Sequence, residues 1–299
     1  MPRVASLTGV GTFRASEFDE ITSSRVAIGT TGTVFAYEFD EDVTNIITGS
    51  TIMRFIPGVG IGTTVVVGDS IDEITENYVT NGLQFFVDAG NSLSYPGSGT
   101  TWYDLSGNGN DVTLTSTTFT TDAGGAIVSS SSASNAGNSA ATTNMNFAGG
   151  GFSISVWIRH TGTVDTARVQ RYFTLPSSPV EGPVLRHNSS SAASLHGYIF
   201  DSGSTIRQVD VASQIVTATY YNCVFNYDGS VFRLYKNNVQ VGSLTQSITN
   251  PTPANNFSLF PSGTEWFEGN MYIAQYYNRS LSVAEIEQNY NAFRYRFGI

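Results

Sequence analysis

The chain has 299 residues and a formal net charge of −10, and only 13% of its residues are Asp, Glu, Lys or Arg, about half of the ~25% usual for soluble domains. That balance gives no basic stripe to meet phosphates, which weighs against nucleic acid and anionic membrane as partners. One cysteine, Cys223, leaves no intrachain disulfide, and no run approaches the ~20 apolar residues of a spanning helix.

The first residues, Met1-Pro2-Arg3-Val4-Ala5, lack the apolar core of a signal peptide, so a soluble protein made without that export route is expected. Residues 1–81 carry three related acidic strings: Glu17-Phe18-Asp19-Glu20-Ile21-Thr22, Glu38-Phe39-Asp40-Glu41-Asp42 and Ile71-Asp72-Glu73-Ile74-Thr75. Between them lie β-branched runs, Thr51–Ile56 and Val65–Val67, and the glycine-punctuated Gly58–Gly62. This is the pattern of short strands with turns. So little apolar mass makes a marginal core on its own, and the segment is expected to be an attachment and assembly module completed by other copies or other proteins.

From Gly82 the pattern changes to many short strands. Leu83–Val87 is an apolar run, and Phe152–Ile158 alternates with period two, placing Phe152, Ile154, Val156 and Ile158 on one face. Ser-rich Val128–Asn138 reads as a solvated loop. Tyr220–Tyr227, an Asp228-Gly229 turn and Val231–Lys236 form a hairpin, and Asn237-Asn238 turns again into Val239–Ser243. Cys223 lies in an apolar run and reads as a buried small hydrophobe. Ser282-Val283-Ala284-Glu285 is a capping box, with Leu281 and Ile286 placed as a hydrophobic staple. Ile286, Tyr290 and Phe293 recur at helical spacing, so a short closing helix packs one face onto the strands. The fold class is therefore all-β: an antiparallel sandwich over 82–299 with a short C-terminal helix, preceded by a small β-rich module.

In order along the chain, Gly82–Asp88, Trp102-Tyr103-Asp104-Leu105-Ser106-Gly107-Asn108-Gly109-Asn110-Asp111, Phe152–Ile158, Tyr227-Asp228-Gly229 with Leu234-Tyr235, and Phe267–Asn270 with Tyr277–Ser282 resemble the laminin-G-like, concanavalin-A-like jelly-roll family. The wording of 88–102 and of 288–299 is most similar to such domains in structural proteins of tailed phages, marine ones in particular. The resemblance implies a virion component (fibre, tail appendage or capsid decoration protein) with the N-terminal module contacting other virion proteins. It also implies a homo-oligomer, a trimer before a dimer, and an outward sandwich that adheres to host-surface polysaccharide.

Three sets of site residues follow. Members of that family sometimes bind calcium in the loop that here supplies Asp104, Asn108 and Asn110 as oxygen ligands, with Ser106 beside them. The late acidic residue that helps such sites is Asn270 in this chain. Glycan stacking is assigned to Trp266, beside Glu265, and to Tyr198, near His196. Trp102 and Trp157 match core positions of the family. No catalytic residues are assigned. The Glu-Phe-Asp-Glu strings put their second glutamate on the opposite strand face from the aspartate, and His160, His187 and His196 show no metal spacing. A polysaccharide depolymerase and a bacterial surface lectin stand as the alternatives.

Overall fold

The structure, a computed structural model, describes residues 46–48, 51–53, 64–66, 78–130, 136–139, 150–162, 164, 168–178, 181–189, 193–201, 204–248, 252–253, 257–261 and 265–299. The chain separates into two compact units, Met1–Asn77 and Tyr78–Ile299. In the first, β1 (Ile46–Thr48), β2 (Thr51–Met53) and β3 (Thr64–Val66) form an antiparallel sheet in that order. The acidic strings at 17–22, 38–42 and 71–75 lie outside the described residues.

In the second unit the strands are β4 (Leu83–Asp88), β5 (Thr101–Trp102), β6 (Val112–Thr115), β7 (Thr118–Thr120), β8 (Ala126–Ser129), β9 (Ala136–Ser139) and β10 (Phe152–His160). They continue as β11 (Gln170–Ser178), β12 (Glu181–Asn188), β13 (Ser194–Phe200), β14 (Ile206–Val211) and β15 (Tyr220–Tyr227). The last are β16 (Val231–Lys236), β17 (Val239–Thr245), β18 (Thr252–Pro253), β19 (Ser258–Leu259) and β20 (Gly269–Tyr277), followed by helix α1 (Val283–Phe293). One sheet runs β17-β16-β15-β10-β20-β8-β7, with β4 also on β20; the other runs β14-β13-β12-β11-β19-β9-β6-β5, with β18 on β11. This is an antiparallel sandwich with one short C-terminal helix.

The period of two in β10 sorts its side chains. Phe152, Ile154, Val156 and Ile158 point between the sheets and are fully buried there with Phe85, Phe173, Phe225, Phe257 and Tyr276. Phe173 stacks on Phe257 at 5.4 Å and on Tyr276 at 6.0 Å between centroids. Aromatic rings remove on the order of 150–250 Å² each from water, so this layer carries much of the stability. The alternate residues of β10 face outward, where Trp157 stacks on Tyr290 (5.5 Å) and on Phe297 (4.4 Å). The helix and the 3-10 turn Arg294–Phe297 thus cover the outer face of the first sheet.

The helix starts where the capping box places it. Ser282 Oγ accepts from Glu285 N, and Glu285 Oε2 accepts from Ser282 N at 2.8 Å. Leu281 and Ile286 are buried in one cluster, as a staple requires. Asn237 and Asn238 both take positive φ, 48° and 65°, the conformation of a type I′ turn.

Two local expectations need correction. The first hairpin turn is centred on Gly229-Ser230, one residue later than Asp228-Gly229, because Asp228 pairs back to Val231 O. Its carboxylate then accepts from Ser230 N and Val231 N, while Gly229 takes the positive φ of 97°. The Ser-rich stretch Val128–Asn138 is not one loop: its ends belong to β8 and β9. There Ser129 is buried, its hydroxyl donating to Phe267 O at 2.6 Å.

Candidate functional site

The Asp104–Asp111 loop forms a closed hydrogen-bonded turn. Asp104 Oδ1 accepts from Phe86 N and Ser106 N, both at 2.9 Å. Its Oδ2 accepts from Ser106 Oγ at 2.7 Å and from Asn110 N at 2.9 Å. Asn108 Nδ2 donates to Leu83 O at 3.2 Å, and Asn110 Nδ2 donates to Gln84 O. The structure brings Asp104, Asn108 and Asn110 together, but the carboxylate already has four protein donors and both amides present N–H groups to backbone carbonyls. A calcium ion, which needs several free oxygens, would have to displace these bonds, so the geometry fits a stapled turn better than a cation site. Among the described residues no three His, Cys, Asp or Glu side chains converge.

Asn270 turns elsewhere. Its Nδ2 donates to Asp122 Oδ2 at 3.1 Å, and that carboxylate also accepts from Tyr272 (2.6 Å), Tyr220 (2.8 Å) and Arg159 (3.1 Å). Burial alone would raise the Asp122 pKa, but the hydrogen bonds from Tyr272, Tyr220 and Arg159 hold it below its ordinary value. Phe297 packs on Tyr220 and Tyr272, so this hub anchors the C-terminal turn to the first sheet. The sequence offered only an unremarked Thr-Thr-Asp-Ala-Gly-Gly turn here.

Tyr198 sits on β13, where Leu195 and Ile199 point between the sheets and His196 and Tyr198 point outward. The Arg186 guanidinium lies 4.6 Å above the Tyr198 ring, and Tyr198 is 2% exposed. The ring therefore supports Arg186 and is not an open platform. Arg186 Nε also donates to His196 Nδ1 at 3.0 Å, so His196 Nε2 carries the proton shared with Gln208 Oε1 at 3.1 Å. Burial and the adjacent Arg186 push the His196 pKa down to about 4, against the opposing pull of Asp210 and Gln208, which keeps the ring neutral at pH 7.

Trp266 lies at a corner built by the end of β10, the start of β11 and the lead-in to β20. Its ring is partly exposed, and the Arg168 guanidinium stands 4.3 Å from the centroid. Arg168 Nη2 pairs with Glu268 Oε2 at 2.7 Å. Glu265 pairs with Arg171 and, at 3.4 Å, with Arg186. Trp266 and Tyr198 are thus joined through Glu265 and Arg186 into one string of arginines, carboxylates and rings. Trp266 Nε1 and Arg168 Nε are buried and have no hydrogen-bond partner among the described residues, so the donors this corner presents outward are those of the Arg168 guanidinium that pairs with Glu268. Such a corner offers an aromatic plate, N–H donors and carboxylate acceptors side by side, the equipment of a small-molecule site. Arg168 and Glu268 were not singled out from sequence. Their one signal was the almost exclusive use of arginine as the cation, with Lys236 the lone lysine.

His160, His187 and Cys223 are internal. His160 Nε2 lies 2.8 Å from Tyr172 Oη, and its ring is 5.9 Å from that of His187. Burial, with help from His187 and Arg168, pushes the His160 pKa down to about 3. Cys223 is fully buried, and that burial pushes its thiol up to about 12, the profile of an inert core residue. Trp102 and Trp157 are buried at 0% and 1% exposure.

Residues 133–287 match the family model described as the concanavalin A-like lectin/glucanases superfamily. No curated protein matches the sequence. Solved structures of similar fold include the binding domain of botulinum neurotoxin serotype C1, at 13% identity and a TM-score of 0.58, covering 73% of this chain and 53% of that one. The binding domain of botulinum neurotoxin DC in complex with SialylT gives 13% identity, a TM-score of 0.57, and coverage of 73% and 52%. The binding domain of Paraclostridial mosquitocidal protein 1 gives 15% identity, a TM-score of 0.55, and coverage of 72% and 53%. At these identities the likeness is one of fold, and the chain spans about half the length of each. Among the described residues no helix is long and apolar enough to cross a membrane.

Proposed function

We propose, from the premise that this chain belongs to the concanavalin A-like lectin/glucanases superfamily, that it is a non-enzymatic structural protein of a tailed-phage particle whose sandwich binds host-surface glycan. The observation that carries the binding half is the Trp266 corner: a partly exposed indole with Arg168 on its face and Glu265 and Glu268 beside it. A pyranose presents an apolar C–H face and a rim of hydroxyls, and this corner has a counterpart for each. The structure of a neurotoxin binding domain of similar fold in complex with SialylT supports the same reading. The virion half rests on the ordered likeness of 88–102 and 288–299 to phage structural domains.

In this reading residues 1–81 attach the protein to the particle. The described strands of that module are three residues each, and isolated sheets of that size are marginal in water. A homo-oligomer, a trimer before a dimer, would complete such a sheet. Mass spectrometry of purified particles is expected to find the protein, and light scattering to find a multiple of the chain mass. Absence from the particle sinks the virion assignment, and a well-folded monomer sinks the assembly.

The second reading, a polysaccharide depolymerase, has one observation in its favour: two carboxylates, Glu265 and Glu268, lie at the same corner as Trp266, and glycoside hydrolysis uses such pairs. Both are in ion pairs with arginine. Reducing-sugar release abolished by Glu265→Gln or Glu268→Gln would install this reading in place of the first.

A further inference from the structure

We infer that the Trp266 corner selects an uncharged saccharide carrying two adjacent hydroxyls, and that Glu268, seated on Gly162, sets this choice. The inference rests on the glycan-binding reading above and adds the ligand class and the residue that enforces it.

Glu268 is fixed from several sides. Its N–H donates to Gln170 Oε1 at 2.8 Å, and its carbonyl accepts from Thr161 N at 3.2 Å. Gln170 is 1% exposed, so this anchor is set in the core. The carboxyl group lies over Gly162, where a Cβ would run into it. The result is a carboxylate held at 2.7 Å from Arg168 Nη2.

A uronate or sulfate would have to compete with Glu268 for the Arg168 guanidinium. It would also enter a corner where Glu265 already occupies Arg171 and Arg186, on a chain whose net charge is −10. Like charges left facing each other are a common device against the wrong partner. A neutral vicinal diol uses both members of the pair. One hydroxyl donates to Glu268, and its neighbour accepts from the Arg168 guanidinium, both side chains being about one quarter exposed. The partly exposed Trp266 supplies the apolar plate.

The test is tryptophan fluorescence of the full chain titrated with laminarin and mannan as neutral probes and with alginate and heparin as acidic ones. Trp102 and Trp157 are buried, so quenching reports on Trp266. We expect quenching by at least one neutral probe and by neither acidic one. Trp266→Ala is expected to remove binding measured by co-sedimentation. Glu268→Gln is expected to weaken binding about 10-fold, the size of one hydrogen bond to a charged group, and Gly162→Ala to act in the same direction by moving the carboxylate. Glu268→Gln is isosteric, so it decides the matter if Gly162→Ala fails to fold. Alginate or heparin that does bind in Glu268→Gln is the expected gain once the competing carboxylate is gone, whereas binding of either by the unaltered protein overturns the ligand class and leaves the glycan-binding reading standing. Neutral binding indifferent to Trp266 and Glu268 overturns the site. Binding of none of the four probes, by quenching or co-sedimentation, overturns this inference together with the reading beneath it.

Discussion

The two sheets finish their outer faces by different physics. On the first sheet, Trp157, Tyr272 and Phe86 are buried under Ile286, Phe293 and Phe297 of the C-terminal segment, and the contacts are ring on ring. On the second, Arg186 lies over Tyr198, and Glu265 holds Arg171 and Arg186, with Arg168 and Glu268 paired at the adjoining corner. Burying apolar area stabilises a fold by about 25 cal/mol per Å², whereas partly exposed ion pairs contribute about 0–1 kcal/mol each. The first face therefore carries stability and the second is free to carry recognition. Substitutions should separate the two.

The largest expected effect is on the ring-covered face. Trp157→Ala removes the plate on which Tyr290 and Phe297 stack, and should cost about 3–5 kcal/mol in urea unfolding. Saccharide binding by the protein that remains folded should be unchanged. Asp122→Ala is next, at about 2–3 kcal/mol, because it strips the acceptor from Tyr272, Tyr220, Asn270 and Arg159. The Asp122 pKa is lowered on folding, so its contribution is fully present above the unfolded carboxylate range and is lost as pH falls from there through the lower folded pKa. The variant should show a shallower acid limb than the parent.

Between the sheets, His160 gives a different acid signature. Its folded pKa is about 3, against an unfolded value near 6.5. The unfolded chain therefore takes up a proton first, and stability falls as pH drops from about 6.5 toward 3, by about 2 kcal/mol at pH 5. Replacing it by Gln should flatten that slope in chemical denaturation series from pH 7 to 5; an unchanged slope would assign the loss to other groups. Ser282→Ala should cost about 1 kcal/mol through the lost cap, read as a drop in the urea midpoint. The smallest stability effect, about 0.5 kcal/mol, is expected for Trp266→Ala. If its melting falls as far as that of Trp157→Ala, the contrast between the two faces is wrong.

Much of the fold was legible because its signals are short in sequence. The alternation of Phe152–Ile158, the meander Tyr220–Ser243 and the Ser282 capping box each lie within a few residues, and each element forms where its chemistry places it. The two misread pieces, the Gly229-Ser230 turn and the strand ends of the Ser-rich stretch, were decided by pairing with partners. Ser129 faces Phe267, 138 residues away, and no local rule makes a serine run into strand. The sites were harder. Composition picks out exposed aromatics with polar neighbours, but 15 Tyr and 19 Phe offer too many. Tyr198 proved to be buried under a guanidinium, while Trp266 is partly exposed beside one.

By itself the sequence determined the class of the fold, its strand periodicity, its turns at Asn237-Asn238 and the start of its closing helix. Those are properties of backbone sterics, side-chain alternation and capping, and they act over a handful of residues. Only the tertiary structure decided that Asn270 serves Asp122 and not the Asp104 loop, that Arg168 stands over a face of the partly exposed Trp266, and that Glu268 rests on Gly162. Each of these meetings joins segments about 100 residues or more apart. They exist because two sheets close over one core, and no spacing along the chain records which side chains that closure brings together.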